Sequence, residues 1–158
     1  MKLNIFKVSP LILEKINGLC RLLWEGKREF ELVAANIPDK ELRQAILTLA
    51  QENNQYAIEL SSQIETLGGI PPKEIVHEIG QETDGNTFRD ESEVLVFCKM
   101  SETKMLDAYR EILNESFLYE GLRKMIRYQL NGILCAFTQL KLLSSFCNSK
   151  SHQNKIVL

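Results

Sequence analysis

An uninterrupted apolar repeat near the start of the chain constrains the fold more than any other sequence feature. Eight small or apolar residues follow one another at alternating spacings of four and three, which keeps one flank of an α-helix turned toward a partner. Ser9 and Pro10 suit the N-cap and the first helical position, and Pro38 ends the helix because residues before proline avoid helical geometry. The repeat consists of Ile12, Ile16, Leu19, Leu23, Gly26, Phe30, Val33 and Ile37.

Three further segments have the same periodicity, so helices are predicted over residues 10–37, 39–67, 91–114 and 116–147. The second helix opens at Asp39, an N-cap residue, and stops at Gly68 and Gly69. Because short connections join the first helix to the second and the third to the fourth, each pair is predicted to pack as an antiparallel hairpin. The three inner faces carry Leu42, Ile46, Leu49, Asn53, Tyr56, Leu60 and Leu67; Leu95, Cys98, Glu102, Met105, Tyr109 and Ile112; and Leu122, Ile126, Gln129, Ile133, Phe137, Leu140 and Cys147.

Residues 68–90 are rich in glycine, proline and polar residues, which is typical of a surface connection, and Lys73–Ile79 is predicted to form a short helix within it. A segment of about 22 residues can extend to ~70 Å, whereas helices of about 26 residues are only ~39 Å long. The connection can therefore run the full length of the bundle. The predicted fold is all-α: a ferritin-like four-helix bundle in which two antiparallel helix hairpins are joined by a long crossover.

The predicted bundle forms a single domain over residues 9–147, and the aperiodic residues 148–158 are predicted to be a flexible C-terminal tail. Nineteen basic and 21 acidic residues give a net charge of 19 − 21 = −2, so the composition does not favour nucleic acid as a partner. No apolar run approaches the ~20 residues that would cross a membrane. Four widely spaced cysteines without a CxxC pair indicate reduced thiols and a cytoplasmic location; they are Cys20, Cys98, Cys135 and Cys147.

Polar residues interrupt the apolar faces midway along the predicted helices. Asn53, Glu102 and Gln129 occupy inner positions of the second, third and fourth helices, and Glu25 and Glu52 lie beside the faces of the first and second. If the helices pair as predicted, these residues lie at a similar height in the bundle. Buried polar groups cost a few kcal/mol each unless they are hydrogen-bonded. Such a layer therefore implies mutual hydrogen bonds, trapped water or a ligand.

Carboxylate di-iron bundles place one Glu on each of two helices and Glu-x-x-His on each of the other two. Glu25 and Glu102 match the single carboxylates, and Glu52 is followed by Gln55 where the motif has His. On the fourth helix, Gln129 and Gly132 stand where Glu and His belong. Both imidazoles are missing, since the only histidines are His77 and His152. The six residues Glu25, Glu52, Asn53, Gln55, Glu102 and Gln129 form either a relic polar layer without metal or, alternatively, an iron or manganese site at Glu25, Glu52 and Glu102.

Short blocks of sequence carry a resemblance to one group of proteins, and the most specific are Leu67-Gly68-Gly69 and Ala108-Tyr109-Arg110-Glu111. The other blocks are Ile16-Asn17-Gly18-Leu19, Trp24-Glu25-Gly26 through Phe30, Glu59-Leu60, Cys98, Ser101-Glu102, Ile112-Leu113 and Tyr128-Gln129-Leu130. Over about residues 14 to 147, the chain resembles a bacterial family of ferritin-like four-helix-bundle proteins of unknown function. The resemblance implies a fold and no activity. The family usually has a polar residue late in the fourth helix, where this chain has Phe137.

The sequence contains no recognisable set of catalytic residues, because neither histidine lies in a predicted bundle helix where it could activate a nucleophile. The sequence therefore predicts a non-catalytic helical module that acts through self-association, most simply as a dimer, or through binding of a protein partner. Apolar residues off the main faces favour this hypothesis, namely Leu13, Leu22, Leu47, Leu134 and Leu142. The alternative hypothesis is a degenerate metal-binding protein that uses the three carboxylates.

Overall fold

The computed structural model of the protein describes residues 8–74, 90–116 and 118–156, with the backbone alone for 145–156. Within these ranges the chain forms four helices and no strand, so the prediction of an all-α protein is confirmed. The helices are α1 (Pro10–Ala35), α2 (Lys40–Thr66), α3 (Glu91–Leu113) and α4 (Glu120–Ile156). None of the helices in the described ranges is both long and apolar enough to cross a membrane.

Polar side chains begin three of the helices, as expected for N-cap residues. The Ser9 hydroxyl accepts a hydrogen bond from the Leu11 amide at 3.2 Å. Asp39 accepts from the Leu42 amide at 2.8 Å and Asp90 from the Glu93 amide at 3.0 Å. Each of these bonds satisfies an amide that has no partner inside its helix.

The end of α2 is a Schellman motif. Gly68 adopts a φ of 84°, which residues with a side chain rarely do. Its amide donates to the Glu65 carbonyl at 3.0 Å, and the Gly69 amide donates to the Ile64 carbonyl at 2.9 Å. These two bonds satisfy carbonyls of the last turn and turn the chain out of the helix. Gly68 therefore ends the helix where the sequence predicts.

The helices pack in a closed cycle: α1 contacts α2 and α3, and α4 contacts the same two. The diagonal pair α1 and α4 meets through long side chains, since the rings of Phe30 and Phe137 approach edge to face with centroids 6.1 Å apart. One apolar core fills the centre. Its fully buried large side chains include Ile16, Leu19, Leu23, Phe30, Leu42, Ile46, Leu49, Leu60, Ile64, Met105, Tyr109 and Phe137.

The fourth helix differs from its predicted range of 116–147, beginning at Glu120 and continuing to Ile156. Its later start has a visible cause: the Arg123 guanidinium donates to the carbonyls of Leu113 at 2.8 Å and Glu115 at 3.0 Å. These bonds hold the chain after α3 in an irregular turn. The helix continues past residue 147 because residues 148–156 contain no Gly or Pro to stop it. The flexibility of this end stays a prediction.

Two other predictions fall partly or wholly outside the described residues. The short helix at Lys73–Ile79 and most of the crossover lie there, because residues 75–89 are not described. The last two residues of the predicted tail, 157 and 158, lie there as well. The remaining helix ends lie within two residues of the predicted ones, which is the usual uncertainty of a helix boundary.

Candidate functional site

A hydrogen-bond network surrounds Gln129, which is fully buried in the first half of α4. The Tyr109 hydroxyl donates to Gln129 Oε1 at 3.0 Å. Gln129 Nε2 donates to the Tyr56 carbonyl at 3.3 Å and to Glu59 Oε2 at 3.0 Å. Both ends of the amide are therefore satisfied by side chains and backbone of α2 and α3. We call Tyr56, Glu59, Tyr109, Gln129 and Gly132 the tyrosine–glutamine network.

Gly132 belongs to this network through the space that it leaves open. A Cβ atom there would overlap the Tyr56 hydroxyl oxygen and would lie 2.9 Å from Tyr56 Cζ and 3.3 Å from Glu52 Oε2. A glycine allows this close approach because it has no side chain. The phenol of Tyr56 thus fills the position at which the di-iron motif has a histidine.

The two tyrosines of the network are held as neutral donors. Burial raises the pKa of Tyr56, and a hydrogen bond with Glu52 raises it further. Burial likewise raises the pKa of Tyr109 well above its ordinary value. A phenol surrounded by apolar side chains and carboxylates resists ionisation, because a phenolate would be poorly solvated and repelled. The network therefore holds its protons and is suited to positioning helices rather than to transferring protons at neutral pH.

The structure disperses the six residues of the predicted polar layer. Asn53 and Gln129 are fully buried, Glu102 is nearly so, and Glu52 is half-buried. Glu25 and Gln55 are exposed, so their placement in an interior layer is wrong. Both lie off the buried faces of their helices, since each residue turns the side-chain direction by about 100°. Gln55 instead donates to Glu59 at 3.1 Å, at the edge of the network.

The remaining three residues have separate surroundings. Asn53 lies against Gly26, since a Cβ on that glycine would be 2.5 Å from Asn53 Nδ2 and from Met105 Cε. Neither amide atom of Asn53 has a hydrogen-bond partner among the described residues. Glu102 forms an ion pair with Lys141 at 2.8 Å. Glu25 lines a surface cleft of about 130 Å³ between α1 and α3, together with Glu29 and other residues.

The alternative metal site at Glu25, Glu52 and Glu102 is not assembled. No three Asp, Glu, His or Cys side chains within the described ranges are grouped so that they could hold a metal ion. Iron and manganese bound by bundles of this type need converging carboxylates and imidazoles. The geometry of the three glutamates therefore does not fit either metal.

Sequence reasoning did not assign Tyr56, Glu59, Tyr109 or Gly132 to the site. Tyr56 and Tyr109 were recognised only as members of the apolar faces, and Gly132 only as a missing ligand. One signal was available, because a tyrosine on an inner helix face needs a partner for its hydroxyl. The identity of that partner depends on the helix neighbours and their heights.

A second feature is a cavity of about 320 Å³ between α3 and α4. Leu95, Cys98, Phe137 and Leu140 form its walls, while Lys99, Glu102, Lys141 and Ser144 complete the lining. Burial raises the pKa of the Cys98 thiol to about 12. Cys98 is therefore a protonated thiol and a weak nucleophile at neutral pH.

No protein-family model matches the chain, and no curated protein matches it.

Proposed function

We propose that the protein is a non-catalytic, ferritin-like helical bundle that acts by binding a second copy of itself. The observation that carries this proposal is an exposed apolar patch on α3, the α3 patch, defined as Val96, Phe97 and Met100. Val96 is 59% exposed and Met100 is 64% exposed, one helical turn apart. The tyrosine–glutamine network favours the non-catalytic interpretation, because its polar groups bond one another.

The ferritin-like plan of two antiparallel hairpins is part of the proposal, as is the resemblance to the bacterial family. Contacts between α1 and α2 support it: Cys20 Sγ lies 3.5 Å from the Ala57 carbonyl, whereas Asn53 packs against Gly26. Among contacting residues, a higher number on α1 thus goes with a lower number on α2, as expected for antiparallel helices. Between α3 and α4, Tyr109 bonds Gln129 whereas Glu102 bonds Lys141, which is the same trend.

Fewer of the apolar residues off the main helix faces are exposed than the sequence led us to expect. Four of the five leucines off the main faces, Leu13, Leu22, Leu47 and Leu134, are partly buried against the core, while Leu142 is 57% exposed. Neighbouring helices of the same chain therefore cover part of the surface of these four leucines. The α3 patch remains as neighbouring apolar side chains in contact with water, and such patches commonly mark interaction surfaces.

Charges on the two sides of the α3 patch favour a second copy over an unrelated protein. On the α1 side, Glu25 and Glu29 outnumber Lys104 in the cleft, so this side is acidic on balance. On the α4 side, Lys99 and Lys141 outnumber Glu102 in the cavity, so this side is basic on balance. In a twofold interface, the same surface of both copies is buried, and the rotation can place one side of the patch opposite the other side of its copy. The acidic side of one patch would therefore face the basic side of the other, and the apolar centres would meet.

Sedimentation velocity over a range of protein concentrations tests this proposal. The natural chain should show a concentration-dependent dimer, and Met100→Glu should shift it to monomer because a carboxylate would be buried in the interface. Ile58→Glu is the matched control, since Ile58 is 50% exposed on α2, the helix diagonal to α3. A natural chain that stays monomeric at every concentration would contradict the proposal, as would equal effects of the two substitutions.

A cytoplasmic location is also proposed. Cys20, Cys98 and Cys135 are free thiols, and a reducing compartment preserves such thiols. Burial raises the pKa of Cys20, whose Sγ lies 3.4 Å from the Ser61 hydroxyl.

A further inference from the structure

The cavity between α3 and α4 combines a closed apolar floor with a charged rim. Cys98, Phe137 and Leu140 are each at most 2% exposed and form the floor. Lys99 and Lys141 are exposed and line the same cavity. A concave apolar space with a few polar groups on one side is the usual form of a small-molecule site. The floor suits an aliphatic chain, and the rim suits a charged head.

The charges of the rim favour an anion. Two ammonium groups, on Lys99 and Lys141, stand beside one carboxylate, that of Glu102. The Glu102 side chain is only 10% exposed and holds Lys141 Nζ at 2.8 Å, whereas Lys141 itself is 59% exposed. An ammonium has three donors, so Lys141 can bond a ligand carboxylate while it remains paired with Glu102. Glu102 then acts as the residue that positions Lys141.

The volume limits the length of the chain. At ~30 Å³ for each water-sized group, a cavity of about 320 Å³ holds roughly ten such groups. A straight-chain carboxylate with eight carbons has a matching number of non-hydrogen atoms. We propose that this cavity binds a medium-chain aliphatic carboxylate, with the chain against Phe137 and Leu140 and the head between Lys99 and Lys141. Lys99 also borders the proposed dimer interface, so the site is tested both in the natural chain and in a monomeric variant.

Isothermal titration calorimetry with octanoate tests the proposal directly, with octylamine and octan-1-ol as probes of equal chain length. Octanoate should bind with a Kd at least about tenfold lower than either, because only its head forms charge-assisted hydrogen bonds to the lysines. The titrations use both the natural chain and Met100→Glu. Octanoate should bind to both chains, whether they are dimers or monomers. The result therefore does not depend on the dimer proposal.

Two substitutions locate the ligand. Leu140→Trp fills the cavity and should abolish binding, and Lys99→Gln should raise the Kd about tenfold by removing one ammonium. Lys104→Gln is the matched control for the latter, since Lys104 is also exposed on α3 but lines the cleft toward α1. It should leave the Kd unchanged. Circular dichroism checks that each variant folds. If Leu140→Trp does not fold, Lys99→Gln still tests the proposal, because Lys99 is exposed and tolerates substitution.

The proposal is overturned by an absence of binding heat at millimolar octanoate, by tighter binding of octylamine, or by equal Kd values for Lys99→Gln and Lys104→Gln. Undiminished binding by a folded Leu140→Trp variant would also overturn it, because the ligand would then lie elsewhere.

Discussion

At the scale of single residues, Gly132 determines what fills the centre of the bundle. The missing side chain lets the Tyr56 hydroxyl lie against the α4 backbone, beside Glu52. Gln129, one turn earlier, then bonds Tyr109 and Glu59. The amide of Gln129 and the glycine at 132 thus allow two tyrosines to complete the packing at this height of the bundle.

Gly132→Ala should destabilise the protein by about 1–3 kcal/mol, because the new methyl group would displace the buried Tyr56 ring. Urea unfolding measures this change. Gly18→Ala is the control, since nothing lies within 4 Å of a Cβ at that exposed helical position. It should raise stability by about 0.5–1 kcal/mol through the helix preference of alanine alone. Equal effects of the two changes would show that Tyr56 does not occupy the space beside Gly132.

At the scale of helices, Gly26 brings α1 close to α2 around Asn53. The side chain of Asn53 is fully buried against the glycine, and Met105 of α3 reaches the same place. An asparagine amide in such surroundings is costly unless it is hydrogen-bonded. Asn53 and Gln129 therefore form an informative pair, because only Gln129 has bonded partners among the described residues.

Asn53→Leu should raise the free energy of unfolding by about 1–3 kcal/mol, because it replaces two unpaired polar atoms with an apolar group of similar size. Gln129→Leu should lower it by a similar amount, since Tyr109 would keep a buried hydroxyl without its acceptor. Chemical denaturation of both variants measures the contrast. A loss of stability in Asn53→Leu would contradict the expectation and would indicate that an interior water bonds the amide.

At the scale of the whole molecule, the core contains ionisable groups that folding keeps neutral. Burial raises the pKa values of Cys20, Cys98 and Tyr109. In the unfolded chain these groups release their protons at lower pH than in the folded chain. The unfolded state is therefore increasingly favoured as the solution becomes alkaline. The stability that depends on these groups being protonated is fully present below their pKa in the unfolded chain. It is lost as the pH rises toward their pKa in the folded chain.

For Cys98 the window extends from about 9 to about 12. Within it, the free energy of unfolding should fall with pH more steeply in the natural chain than in Cys98→Ala, by up to about 1.4 kcal/mol per pH unit. Urea unfolding at several pH values from about 9 to about 10.5 under reducing conditions measures the slope. Cys135→Ala, which removes an exposed thiol, should leave the slope unchanged. Parallel slopes for Cys98→Ala and the natural chain would contradict the burial of Cys98.

The sequence by itself determined the helical class and most of the helix boundaries. An apolar spacing of three and four fixes which flank of a helix is buried, and caps such as Asp39 and Gly68 act within a few residues of themselves. Local rules of this kind need no knowledge of the neighbours. They failed at the start of α4, where the Arg123 side chain bonds carbonyls at the end of another helix.

The tertiary structure alone decided which polar residues meet. Asn53, Glu102 and Gln129 are buried as their positions on the inner faces predicted, yet they lie in three separate environments. Glu25 was assigned to the interior from its place in a motif, although it lies about 100° from the adjacent buried position at Gly26. Periodicity specifies a side chain's direction from its own helix. Its partner also depends on the height and rotation of the neighbouring helices, which packing of the complete core sets.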